Sequence, residues 1–178
     1  MAIQSLDDLL DADALSGRRV FVRADLNVPL DAGRIRDDSR IRASLSTLEA
    51  LRAAGARVIL ASHLGRPRGV RRPELSLAPV AEALTAALGQ PIQFASDCIG
   101  PEVEARVAAL EDGQVLLLEN LRFHKAETEN QLDFARELAA LADVYVNDAF
   151  GTAHRVHPST AGMDSMGCSE GVVHVDIG

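Results

Sequence analysis

The feature that most constrains this chain is an alternation. Short apolar runs recur between stretches of helical periodicity, and most changeovers carry a stop signal. Arg18–Ala24, Arg57–Ser62, Pro91–Ala95, Val115–Glu119 and Val144–Asn147 read as strands. The span from Asp38 to Ala54 places Ile41, Leu45, Leu48 and Leu51 at helical spacing and ends before Gly55. Ser76–Leu88 reads as a helix with Ser76 as N-cap and Gly89 as stop, and its Pro79 falls in the first turn, where proline is tolerated. Pro101–Leu110 and Asn130–Leu141 complete the helices. Strands that are apolar on both faces and alternate with helices predict βαβ units with right-handed crossovers. The expectation is an α/β fold of three layers, with helices on both faces of a mostly parallel, Rossmann-like sheet. His63–Pro73, rich in Pro and Arg, reads as a loop. The pattern weakens after Ala161, so one domain is expected over 1–160 and an atypical tail over 161–178.

At 178 residues, 47% hydrophobic and 25% charged, the chain can build one full core but not two large domains. It has no apolar run of the ~18–20 residues that a membrane helix needs. Its acidic amino end lacks a basic stretch followed by an apolar one, which leads us to expect a cytoplasmic protein. Cys98 and Cys168 stand far apart without a CxxC, which argues against a disulfide scaffold or a zinc site. The net charge of −8 is unevenly placed: Arg18 to Arg72 carries +8, and the rest carries −16. Acidic surroundings oppose a nucleic-acid backbone, so no nucleic acid and no membrane are expected as partners. An arginine-rich third still suits a small anion, because arginine forks onto carboxylates and phosphates.

In open parallel sheets, ligands bind beyond the carboxyl ends of the strands. The first strand is followed by Arg23, Asp25 and Asn27, and the second by His63, Leu64, Gly65 and Arg66. The fourth is followed by Asn120, Arg122, His124 and Lys125, and the fifth by His154, Arg155 and His157. Each group has an ordinary explanation. Arg23, Asp25 and Asn27 could be a surface pair with a turn, Gly65-Arg66-Pro67 a solvated turn, and Glu119 with Arg122 an ion pair. Arg40 lies in the first turn of its helix, where the macrodipole disfavours cations. Either Asp37, Asp38 and Ser39 balance its charge, or it points with the helix N-terminus at an anion. Coincidence at four strand ends favours a small-anion site lined by Arg and His. GxGxxG, GxxxxGK[ST], GxSxG and HExxH are all missing, so no nucleotide site is visible.

The segments RVFVRADLNVPL (19–30), ASHLGRP (61–67), LLLENLRFHKAE (116–127) and NDAFGTAHRVHPST (147–160) resemble, in order and spacing, the amino-terminal domain of phosphoglycerate kinases. The resemblance implies glycolytic phosphoryl transfer between 1,3-bisphosphoglycerate and ADP. In that family the amino-terminal domain binds 3-phosphoglycerate, the carboxyl-terminal domain holds Mg-ATP or Mg-ADP, and a hinge closes them together. Carried over, Asp25 and Asn27 contact the glycerate end, with Arg23 beside them. His63, Leu64, Gly65 and Arg66 come from the HLGR loop, and Arg122 and Arg155 hold the phosphate and carboxylate. His157 lies near the patch. Arg40 is the implied catalytic residue, steadying the transferred phosphoryl group. No metal ligand is implied within this chain, and family members are usually monomeric. The nucleotide domain is missing from these 178 residues, and Met163–Gly178 departs from the family. The expectation is a phosphoglycerate-binding half, inactive alone and binding no nucleotide, from a fragment or a frame-disrupted gene. A free-standing small-anion module and an unstable gene remnant are the alternatives.

Overall fold

The computed structural model describes Leu10 and residues 14–148. His154, Arg155, His157, Cys168 and the expected tail lie outside the described residues. In chain order the elements are β1 (Arg19–Ala24), β2 (Leu30–Asp31), β3 (Arg34–Ile35), α1 (Ser39–Ala53), β4 (Arg57–Ala61), α2 (Ala78–Leu88) and β5 (Gln93–Phe94). Then come α3 (Pro101–Ala108), β6 (Val115–Leu117), α4 (Lys125–Thr128), α5 (Leu132–Ala139) and β7 (Val144–Asp148). Single 3-10 turns lie at Pro73–Leu75 and Leu121–Phe123. Among the described residues, no helix is long and apolar enough to cross a membrane.

Five strands form one parallel sheet in the order β5-β6-β4-β1-β7. Because side chains alternate between strand faces, the sheet divides the core in two. Val20, Val22, Val58, Leu60, Val115, Leu117, Val144 and Val146 meet Ile41, Leu48 and Leu51 of α1 and Val80 and Leu84 of α2. Phe21, Ile59, Leu116 and Tyr145 meet Val103 and Val107 of α3 and Phe134 and Leu138 of α5. The topology accounts for this division. The connections through α1 and α2 run toward the β5 edge, whereas those through α3 and α5 run back, and right-handed crossovers in opposite directions cover opposite faces. The expected three-layer α/β fold is therefore present.

Several boundaries differ from expectation. The third strand pairs only at Gln93–Phe94, where it lies at the sheet edge against β6. Leu77, not Ser76, is the N-cap of α2, and the Ser76 hydroxyl instead accepts from the Ala78 amide at 3.2 Å and donates to Glu119 Oε2 at 2.7 Å. The last helix starts at Leu132 because Asn130 takes a positive φ of 55°, outside helical space. The β2–β3 ribbon was not anticipated.

Candidate functional site

The carboxyl ends of β1, β4 and β6 open onto a common edge, and hydrogen bonds sew their loops together. Leaving β1, the Leu26 amide donates to Ser62 Oγ at 2.9 Å, just after β4. Asn27 Oδ1 accepts from the Gly65 amide at 2.8 Å, and the Gly65 carbonyl accepts from Arg122 Nη1 at 3.1 Å. Gly65 thus joins three strand ends. Its φ of +62°, and a Leu75 methyl 2.8 Å from where a Cβ would sit, explain why glycine stands there.

Arg23 is not the surface partner of Asp25 that its spacing allowed. It is 1% exposed, its Nη1 donates to the Ala24 carbonyl at 2.6 Å, and its Nη2 lies 2.9 Å from His63 Nδ1. A guanidinium only donates, so Nδ1 of His63 must accept, which leaves the ring proton on Nε2. Arg23 therefore sets the tautomer of a buried histidine at the head of the loop.

Asp25 pairs instead with Arg40: Nη1 of Arg40 donates to Oδ2, while Oδ1 accepts the Asn27 amide at 3.2 Å. This draws the guanidinium from the first turn of α1 toward the β1 loop. Asp37 serves the helix entry separately, accepting from the Ser39 amide at 2.8 Å and the Ser39 hydroxyl at 2.5 Å. Those bonds, the hydroxyl's foremost, hold the Asp37 carboxyl below its usual range. Arg66 is exposed, and no ion pair engages it among the described residues. Leu64 is buried, so it supplies backbone rather than side chain to the site.

Sequence reasoning missed the supports beneath this edge. Glu119, which an ion pair with Arg122 would have explained, is 4% exposed and accepts from the Ser76 hydroxyl, the Leu77 amide at 2.9 Å and the Asn120 amide at 2.8 Å. Asn120, 1% exposed, accepts at Oδ1 from the Leu64 amide at 3.2 Å and the Arg122 amide at 3.1 Å. Its Nδ2 donates to the carbonyls of Leu64 at 2.8 Å and Leu75 at 2.9 Å. The available signal was a pair of polar residues closing the apolar run VLLLEN. Polar groups there must be buried and therefore bonded.

At the fourth end, β7 closes on Asp148, whose carboxyl is pushed up to about 6 by burial. A contact from the Thr47 hydroxyl opposes that rise, although neither this hydroxyl nor Asp148 Oδ2 reaches full hydrogen-bond geometry among the described residues. Arg155 and His157, expected to complete the site, lie outside the described residues.

The phosphoglycerate kinase family model matches residues 8–173. The chain belongs to the phosphoglycerate kinase family. It is 59% identical over 174 residues to a phosphoglycerate kinase of Synechococcus sp., covering 92% of this chain and 42% of that protein. A Moorella thermoacetica phosphoglycerate kinase is 59% identical over 163 residues, with 92% of this chain and 40% of that protein covered. Among solved structures, that of phosphoglycerate kinase from Coxiella burnetii matches with a TM-score of 0.83 at 37% identity, over 98% of this chain and 41% of that one. That from Pyrococcus horikoshii OT3 gives a TM-score of 0.82 at 30% identity, over 96% and 42%. The chain thus spans about two fifths of the length of the relatives it matches.

Proposed function

We propose that this chain is the phosphoglycerate-binding half of a phosphoglycerate kinase, holding the substrate while the rest of the enzyme supplies the nucleotide. The observation that carries the reading is the junction at Gly65, which draws Asn27, His63 and Arg122 to one edge beside Arg40 and the exposed Arg66. Guanidinium forks, an imidazole N–H donor and an amide suit the phosphate and carboxylate of 3-phosphoglycerate. Arg66 and Arg122, with Arg155 beyond the described residues, anchor the stable anionic groups. Asp25 and Asn27 meet the glycerate end. Arg40 exchanges its bond to Asp25 for the phosphoryl group in motion. Phosphoryl transfer asks mainly for positioning and charge stabilisation, which this residue set supplies without a protein nucleophile.

The Mg-nucleotide of the family does not fit this edge. Mg²⁺ demands several oxygen ligands, whereas the donors here are guanidinium and imidazole groups, and Asp25 is engaged by Arg40. The nucleotide and its metal therefore belong to the part of the relatives that this chain does not cover, and the chain alone is inactive. Titration calorimetry of the purified chain with 3-phosphoglycerate tests the reading. Saturable binding without phosphoryl transfer to ADP is expected, and either absence of binding or turnover inherent to this chain would overturn it.

A further inference from the structure

Beyond β5 the chain turns through Asp97 and Cys98, and His124 faces them from the start of α4. One ligand atom from each of these residues lies within 4.8 Å of the other two. We propose that Asp97, Cys98 and His124 form a binding site for a thiophilic divalent cation of the zinc class, separate from the anion edge and independent of its assignment.

The donor set is one carboxylate oxygen, one imidazole nitrogen and one sulfur, a combination that suits Zn²⁺ and discriminates against Mg²⁺ and Ca²⁺. At bond lengths of ~2.0–2.3 Å, donors around a tetrahedral ion stand about 3.3–3.8 Å apart. His124 Nε2 and Asp97 Oδ1 are now hydrogen-bonded at 2.6 Å, so an ion would enter by parting that bond and drawing the thiol in. The shifts needed are about an ångström, within the reach of side-chain torsions.

The surroundings suit a metal site. Arg71 Nη2 lies 3.4 Å from Asp97 Oδ2, while Oδ1 accepts from the Cys98 amide at 2.7 Å, a bond that holds it facing His124. The His124 ring is stacked on Phe134 with centroids 5.4 Å apart, which fixes its plane. Outer contacts of this kind orient metal ligands. Asp97 and His124 keep 38% and 29% of their side-chain surface exposed, giving an entrance, while Cys98 is fully buried at its floor. Burial foremost, then Asp97 and the buried Glu127, push the Cys98 thiol up, so the ion must displace its proton. The same two carboxylates attract a divalent cation. On binding, the S–H bond gives way to a metal–sulfur bond and one proton leaves to solvent, while a water takes the fourth position. Sequence spacing argued against zinc because it weighed only the two cysteines. The fold brings the ligands from two loops instead.

Cobalt(II) alone, titrated into the full 178-residue chain under a non-chelating reductant, tests this. The expected result is a thiolate-to-cobalt charge-transfer band in the near ultraviolet that saturates at one equivalent and is displaced by Zn²⁺. Cys98→Ser should abolish the band, and Cys168→Ser should retain it. His124→Gln should weaken Co²⁺ binding by roughly 100-fold, at or beyond the 10–100-fold that losing an outer-sphere partner costs. Circular dichroism checks the fold of each variant, so the histidine variant decides the matter even if the cysteine variant unfolds. No band, a band that survives in folded Cys98→Ser, or unchanged affinity in folded His124→Gln would overturn the proposal.

Discussion

Replacing Asn120 by alanine tests whether the anion edge rests on buried amide chemistry. The side chain makes four hydrogen bonds, to the Leu64 amide and carbonyl, the Arg122 amide and the Leu75 carbonyl, at 2.8–3.2 Å. All lie in a region where Asn120 is 1% exposed, so water does not replace them without opening the loop. At a net ~0.5–1.5 kcal/mol per bond, four bonds give about 2–6 kcal/mol, and partial relaxation sets the expected loss near 3 kcal/mol. Asn120→Asp keeps the acceptor but turns a carboxylate toward two carbonyls, and should cost at least as much. Urea unfolding followed by circular dichroism measures the loss through its midpoint, provided the slope is unchanged. The same variants should bind 3-phosphoglycerate more weakly even where fully folded, because the Arg122 and Leu64 backbones lose their common tie. A loss below ~1 kcal/mol with unchanged binding would refute the reasoning and make the network incidental.

Three further outcomes are expected. Arg66→Ala and Arg122→Ala should each weaken 3-phosphoglycerate binding by ~1.5–3 kcal/mol by calorimetry, whereas Arg40→Ala should affect binding less and, in an enzyme rebuilt with the nucleotide domain, lower mainly kcat. The raised Asp148 carboxyl keeps its proton up to about pH 6 when folded, against a usual value of 3.8. The folded state thus binds more protons across that window, and stability falls as pH rises through it. Asp148→Asn should therefore raise the thermal midpoint more at pH 7.5 than at pH 4.5, and an equal effect at both would contradict the burial argument. In Gly69→Ala, a Cβ would sit 2.6 Å from Lys125 Cβ and 3.0 Å from its Cα at a φ of +75°. A loss of about 1–3 kcal/mol is expected in urea unfolding.

Strands buried on both faces announce themselves as unbroken apolar runs, which is why β1, β4, β6 and β7 were legible within a residue or two. The same property hid Arg23. In a strand covered on both sides, alternation does not separate inside from outside, so its chemistry was visible while its burial was not. The β2–β3 ribbon was illegible for a different reason. Each strand is two residues long, too short for any period, and the first turn residue is Ala32 at a φ of 48°, where the usual Asn or Gly signal is missing. The site residues were legible as a list, because arginines and histidines cluster after strand ends. Their division of labour required three dimensions: Asp25 chose Arg40 over Arg23, and Glu119 chose the amides before α2.

The strand order also carries a schedule. β1 and β4 lie next to each other and can pair as soon as the chain between them is made. β5 finds its ladder only on β6, a segment synthesised after it, and β7 closes on the far side of β1 through pairs such as Val20 with Val144. A chain emerging from the ribosome therefore holds two open β edges at once, one on β4 awaiting β6 and one on β1 awaiting β7. Such edges invite pairing with other chains, and contacts this distant in sequence form slowly. The nascent chain is thus most exposed to misassembly between the synthesis of Ala61 and that of Asp148, the interval in which a chaperone would be needed most.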